Sequence, residues 1–217
     1  MGLLQSSDSA NQWFSLLAPG YDAVVPTLFW PDSLQREGLE RLEIDPGDRV
    51  LDIGCGTGET VSHLLAETAT VHGLDLSGDQ LETAAGKEGL EDAAFVRGDA
   101  TELPYADESF DRVVSIGSIL YWAEPREALE EAYRVTKPGG KILVMGFHRR
   151  PYSAWNPARN VQNGLSSLFF FRYDHEEGTD LFENAGWRDI DHEVTGPAWS
   201  PGLVIATTAT KVGETDA

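Results

Sequence analysis

One cysteine, Cys55, serves the whole 217-residue chain. That excludes an internal disulfide and any cysteine-built zinc cluster, and no metal site is expected. Long apolar runs are missing as well: Leu168 to Phe171 spans four residues, against the ~18 a membrane-spanning helix needs. The first thirty residues carry no basic region followed by an apolar one, so no secretory leader is read there. Gly2 alone is no acylation signal. A cytoplasmic protein is the expectation. Basic residues are scarce, 16 against 36 acidic ones, and only four are lysine, which leaves a net charge of −20. The acids run from Asp8 to Asp216 rather than gathering in one tail, and 41% of the residues are hydrophobic, so a folded chain is expected rather than an acidic coil. Dispersed carboxylates repel one another in dilute buffer, whereas ~1 M salt shortens the Debye length to about 3 Å. The balance therefore reads as halophilic. It also disfavours the phosphate backbone of nucleic acid as a partner.

What is present is an alternation of strands and helices. Asp45-Pro46-Gly47-Asp48 delivers the chain into a strand, Arg49 to Ile53, and further strands are predicted at Thr70–Leu74, Ala93–Arg97, Phe110–Ile116 and Lys141–Gly146. Helices are predicted between them at Glu59–Glu67, Ser77–Lys87 and Glu124–Val135. Ahead of the first strand, Leu34 to Leu42 has the spacing of a surface helix. After the last, 147 to 175 is irregular and aromatic, a helix runs from about Thr179 to Ala185, and Trp187–Val194 with Leu203–Thr210 forms an antiparallel hairpin. The prediction is one α/β domain over 1–217, a doubly wound, mostly parallel sheet with a reversed C-terminal strand. Its parts are a helical cap (1–45), a core (46–146), a candidate lid (147–178), and a C-terminal helix and hairpin (179–211).

Chemistry concentrates where strands end. Val50-Leu51-Asp52-Ile53-Gly54-Cys55-Gly56-Thr57-Gly58 is a strand running into a glycine turn that opens a helix, a place where free N–H groups face a ligand. Asp75 ends the second strand, 17 residues beyond Gly58, where a carboxylate can accept the hydroxyls of a ribose. Asp99 ends the third. These features alone also allow a NAD-dependent oxidoreductase. Against that, the turn reads GxGxG rather than GxGxxG, and Asp52 and Glu59 bracket it. Acids there oppose a diphosphate and suit a cation. No Gly-Lys-Ser/Thr follows, which excludes a P-loop.

Residues 49 to 145 resemble the core of a class I S-adenosylmethionine (SAM)-dependent methyltransferase. VLDIGCGTG, GLDLS (73–77), RGDATELPYADESFDRVVS (97–115) and RVTKPGGKILV (134–144) match successive motifs of that family. The resemblance implies a Rossmann-like seven-stranded sheet with SAM as cofactor. It implies that Asp52 and the turn (Gly54, Cys55, Gly56, Gly58) hold the methionine end and that Asp75 holds the ribose. Leu76 would pack on adenine, Asp99 with the Ala100 N–H would read its edge, and Ser115 would lie at the fourth motif.

Methyl transfer wants an oriented nucleophile and, for a carbon or phenol acceptor, a base. His148 is the one histidine placed at the carboxyl edge of a central strand, and Tyr121 follows the fourth strand. Tyr21, in Ala18-Pro-Gly-Tyr-Asp22, resembles a tyrosine of quinone-biosynthesis C-methyltransferases. The Asn/Asp-Pro-Pro-aromatic motif of amino-group methyltransferases is replaced by Ser115-Ile116-Gly117-Ser118, and a single cysteine argues against arsenite methylation. A small-molecule acceptor, aromatic or isoprenoid, is expected. The alternative is a SAM- or S-adenosylhomocysteine-binding protein without transfer. Nothing in the sequence sets the oligomeric state.

Overall fold

β1 (Arg49–Ile53) is buried along four of its five residues, because helices cover both faces of the sheet it centres. The computed structural model describes residues 28–68, 70–151, 155 and 170–213. Among these described residues, eight strands form one sheet: β1, β2 (Thr70–Asp75), β3 (Ala94–Arg97), β4 (Phe110–Ile116), β5 (Thr136–His148), β6 (Arg172–Tyr173), β7 (Arg188–Thr195) and β8 (Val204–Thr210). The order is β3-β2-β1-β4-β5-β8-β7, with β6 paired to β5. β1 to β6 pair in parallel, and β8 runs antiparallel to both β5 and β7. This is the doubly wound α/β fold expected.

Side chains alternate across each strand, and the two faces make separate cores. Leu51, Ile53, Val113 and Val144 meet α4 (Pro125–Val135) and α5 (His175–Asn184) through Leu129, Ala132 and Phe182. Val50, Val114, Leu143 and Met145 meet α1 (Asp32–Glu40), α2 (Glu59–Glu67) and α3 (Gly78–Ala85) on the other face. At Gly38 of α1, an added Cβ would sit 2.5 Å from Met145 Sδ, so α1 approaches β5 as closely as a glycine allows. That docking buries one face of α1. Gln35 and Gly38 are buried beside Leu34 and Leu39 on its inner face, while Ser33, Arg36, Glu37 and Glu40 stay exposed, as expected of a surface helix.

Three boundaries differ from the sequence reading. β5 begins at Thr136, so the Pro138-Gly139-Gly140 break lies inside the extended run, where the pairing register shifts between Phe110 and Arg112. α5 begins at His175 rather than Thr179, held by a capping box in which Asp174 accepts from Glu177 N–H and Glu177 accepts from Asp174 N–H. β6 lies inside the 147–175 stretch expected to be irregular. The candidate lid is described only at 147–151, 155 and 170–178, and Tyr21 lies outside the described residues.

Candidate active site

The strand order reverses between β1 and β4: β2 and β3 lie to one side, β5 to the other. A crevice must open there beyond the carboxyl ends of the strands. The glycine turn fills one wall. Gly54 N–H and Cys55 N–H both donate to Leu74 O, at 2.7 and 3.0 Å, which bends the chain over β2. Gly54 has φ +78°, and a Cβ there would meet Ser118 Cβ at 2.2 Å. Only glycine satisfies both conditions. Asp75 braces the turn: Gly56 N–H donates to Oδ2 at 2.9 Å and Ser77 N–H to Oδ1 at 2.8 Å. Thr101 donates to Asp99 Oδ1 through its N–H (2.9 Å) and its hydroxyl (2.8 Å), fixing that carboxylate at the end of β3.

Asp52 lies fully buried behind the turn, its Oδ2 without a hydrogen-bond partner. Burial, and secondarily the charge of Asp75, push its carboxyl up to about 8. Burial likewise drives the Cys55 thiol far above its usual range, so Cys55 is filler and not a nucleophile. Glu59, read above as bait for a cation, is instead paired with Lys87 at 2.6 Å, and Lys87 also donates to Thr57 Oγ1 at 3.2 Å. The negative field of the site therefore comes from Asp75 and Asp99 more than from the acids bracketing the turn.

The crevice holds a cavity of about 540 Å³ with two chemically distinct ends. One is polar, walled by Gly54–Thr57, Asp75–Ser77 and Asp99–Thr101. The other is walled by Phe29, Trp30, Leu120, Tyr121, Phe147 and Phe170. Phe147 is the hub of these rings, with centroids 5.6 Å from Phe29, 5.9 Å from Trp30 (stacked) and 5.7 Å from Phe170 (edge-on). Phe170 in turn meets Tyr121 at 5.7 Å. The two ends join at Gly117-Ser118. Ser118 Oγ donates to Ile53 O at 2.8 Å on the polar side. A Cβ on Gly117 would touch the Trp30 indole at 2.9 Å on the other.

Of the residues singled out from sequence, Gly54, Cys55, Gly56, Asp75, Leu76, Asp99, Ala100 and Tyr121 line this cavity. Gly58 does not: it caps α2 in a left-handed conformation. Ser115 is fully buried and shares a 2.5 Å hydrogen bond with Ser118 Oγ, which takes the place at the wall. His148 faces away. Phe147 occupies the cavity side of β5, so the next residue points to the opposite face, where His148 Nδ1 lies 3.3 Å from Gly202 O and its ring meets His175. Burial holds its imidazole below the usual range. Sequence reasoning missed Gln35, which donates to Trp30 O (2.8 Å), accepts from Thr60 Oγ1 (3.0 Å) and lines the cavity. It also missed Phe29 and Trp30, and at the end of β5 it favoured His148 over Phe147.

A family model described as a methyltransferase domain matches residues 51–144. A demethylmenaquinone methyltransferase of Paenarthrobacter aurescens is 34% identical, over 95% of this chain and 88% of its own length. The chain belongs to this methyltransferase family. The domain also resembles a chloroplast 2-methyl-6-phytyl-1,4-hydroquinone methyltransferase of Arabidopsis thaliana, 34% identical over 92% of this chain and 58% of that protein. The chain spans about three-fifths of the length of the plant relatives it matches. Among solved structures, the [4+2]-cyclase SpnF superposes with a TM-score of 0.76 at 23% identity, covering 96% of this methyltransferase domain and 98% of the cyclase. At that identity the likeness is one of fold, and the cyclase's name shows that the fold hosts more than one chemistry.

Proposed function

We propose that this protein is a SAM-dependent methyltransferase acting on a small aromatic acceptor of the quinol type. The carrying observation is the two-ended cavity. A polar half built on strand-end carboxylates and the glycine turn joins, at Gly117-Ser118, a half walled by aromatic rings. The residues present fit the cofactor: Asp52 Oδ2 is a buried acceptor without a donor, and the turn opens on the cavity at Gly56, where an added Cβ would meet only Gln80 Oε1, at 3.7 Å. When bound, SAM supplies a methyl group made electrophilic by its sulfonium.

In this reading Asp75 keeps its two bonds to the turn and Ser77, and accepts ribose hydroxyls with its remaining lone pairs. Asp99 and Ala100 N–H read the adenine edge, and Leu76 packs on the ring. Asp52 and the glycine turn take the methionine end, a cation near Asp52 restoring its ionised form. The rings orient the acceptor and exclude water, and positioning of this kind is worth up to ~7–11 kcal/mol. Of the six residues named for the aromatic half, Tyr121 carries a titratable side chain. Its phenol is the group placed to hydrogen-bond an acceptor hydroxyl. His148 takes no part. The quinone-related relatives support the acceptor class.

Asp75→Asn tests the assignment while retaining an acceptor for the Gly56 N–H. Calorimetry should show SAM bound ~1–3 kcal/mol more weakly, through loss of charge-assisted hydrogen bonds. Unchanged affinity would remove the ribose role. Labelled methyl transfer from SAM to soluble hydroquinones then tests the reaction. Tight SAM binding with no transfer would favour a SAM-binding protein of another activity, a reading the cyclase neighbour keeps in view.

A further inference from the structure

Among the described residues, no Lys, Arg or His lines the cavity, whereas Glu59, Asp75, Asp99, Glu124 and Glu127 all do. Such a wall suits the sulfonium and the ammonium of SAM. The amino-acid end of the cofactor also bears a carboxylate, which acids repel. Neutral donors must meet it.

The glycine turn has few to give. Gly54 N–H and Cys55 N–H are spent on Leu74 O, Gly56 N–H on Asp75, and Gly58 N–H on Cys55 O at 2.9 Å. Of the amides from Gly54 to Gly58 only that of Thr57 is left, one donor for two carboxylate oxygens. The hydroxyls of Ser118 and Thr101 donate within the fold. With adenine at the end of β3 and ribose at the end of β2, the amino-acid end falls over β1, where the turn opens α2. The side chain that α1 brings to that place is Gln35. It is 5% exposed, lines the cavity, and meets Thr60 in the first turn of α2.

The partners of Gln35 fix which way its amide points. Trp30 O can only accept, so the atom 2.8 Å from it is Nε2, and Oε1 is left to accept from Thr60 Oγ1 at 3.0 Å. An amide nitrogen carries two N–H bonds. One is spent on Trp30 O, and no described residue takes the other. A buried N–H left unmet is costly, and this one belongs to a side chain on the cavity wall. The positive end of α2 beside it favours an anion, and Glu59 there is already paired with Lys87.

We propose that Gln35 is a cofactor-binding residue whose second amide N–H donates, together with Thr57 N–H, to the carboxylate at the amino-acid end of SAM. The assignment rests on the SAM reading of the site. A neutral amide meets the carboxylate without setting a fixed positive charge against the sulfonium and ammonium, as an arginine or lysine at the same place would. It also gives α1 a second duty. The amide that holds Trp30 O on the aromatic side completes the wall on the polar side.

Two ligands separate this contact from mere support of Trp30. S-adenosylhomocysteine presents the amino-acid end, whereas 5′-methylthioadenosine keeps the adenine, ribose and sulfur and lacks that end. Calorimetry on the full chain should show Gln35→Leu binding S-adenosylhomocysteine about tenfold or more weakly. Its affinity for 5′-methylthioadenosine should stay within about twofold of wild type. Gln35→Glu keeps an acceptor for Thr60 but sets a negative charge against the ligand's carboxylate, so it should weaken S-adenosylhomocysteine further and leave 5′-methylthioadenosine alone. Circular dichroism checks that each variant is folded. Equal weakening of both ligands would leave Gln35 a purely structural part, and unchanged S-adenosylhomocysteine affinity would remove the contact; either result overturns the proposal. A crystal structure of the wild type with S-adenosylhomocysteine needs no variant to fold. It should place a carboxylate oxygen within hydrogen-bond reach of Gln35 Nε2, and a carboxylate held elsewhere would overturn the assignment. A folded wild type that bound neither ligand would overturn the SAM reading and this assignment together.

Discussion

The two halves of the cavity are built by different means. The polar half comes from the ends of β1, β2 and β3, and its lining carboxylates, Asp75 and Asp99, belong to 51–144, the stretch matched by the methyltransferase family model. Backbone geometry makes it: positive φ at Gly54, N–H groups bound by Asp75, a carboxylate fixed by Thr101. The aromatic half takes Leu120 and Tyr121 from within that stretch, but Phe29 and Trp30 from before α1, Phe147 from the end of β5 and Phe170 from just before β6 lie outside it. Side-chain packing makes it. A backbone-built site tolerates few substitutions because its parts are fixed by sterics. A site built from rings can change its occupant one side chain at a time.

Three substitutions would break or sharpen that contrast. The largest effect is expected at Gly54→Ala, where a new Cβ would lie 2.2 Å from Ser118 Cβ at a φ of +78°. Denaturant unfolding should show a loss of at least ~3 kcal/mol, and calorimetry should show no cofactor binding. A variant that bound SAM normally would mean that the turn is not rigid.

Next comes Asp52→Asn. A carboxyl raised from 3.8 to about 8 in the folded state binds more protons folded than unfolded between those values. Its contribution to stability is present below about pH 4 and is lost as pH rises through about 8. The ligand-free Asn variant should therefore gain on the wild type between pH 5 and pH 9, by an amount on the order of a few kcal/mol. Parallel stability curves for the two proteins would contradict the raised carboxyl.

The smallest effect is predicted for Phe147→Leu. It keeps an apolar side chain but gives up three ring contacts, at a cost of about 1 kcal/mol in stability. SAM affinity should stay within about twofold while acceptor KM rises several-fold, consistent with lost apolar contact worth ~1–3 kcal/mol. An equal loss of cofactor affinity would show that the halves are coupled rather than separate.

The same contrast explains what could be read from the sequence. The turn, Asp75 and Asp99 were legible because each site is contiguous in the chain and its geometry is set by local backbone rules. Ser115 was chosen where Ser118 serves, since sequence shows that a strand ends but not how the following turn aims its side chains. His148 missed the cavity by one position: strand parity gives the cavity face to Phe147, and parity needs to know which face is which. Gln35 was illegible because its burial depends on α1 docking at Met145, a contact between residues more than a hundred apart. The capping box of α5 was legible and overlooked, with Asp174 and Glu177 at the required spacing.

Asp75 holds the Gly56 and Ser77 N–H groups while it also lines the cavity. One carboxylate thus sets the shape of the turn and faces whatever enters beside it. The ordering cost of that wall is met when the chain folds, not when a ligand arrives. An empty cavity and a filled one should share the same turn, and amide exchange at Gly56 should be slow in both.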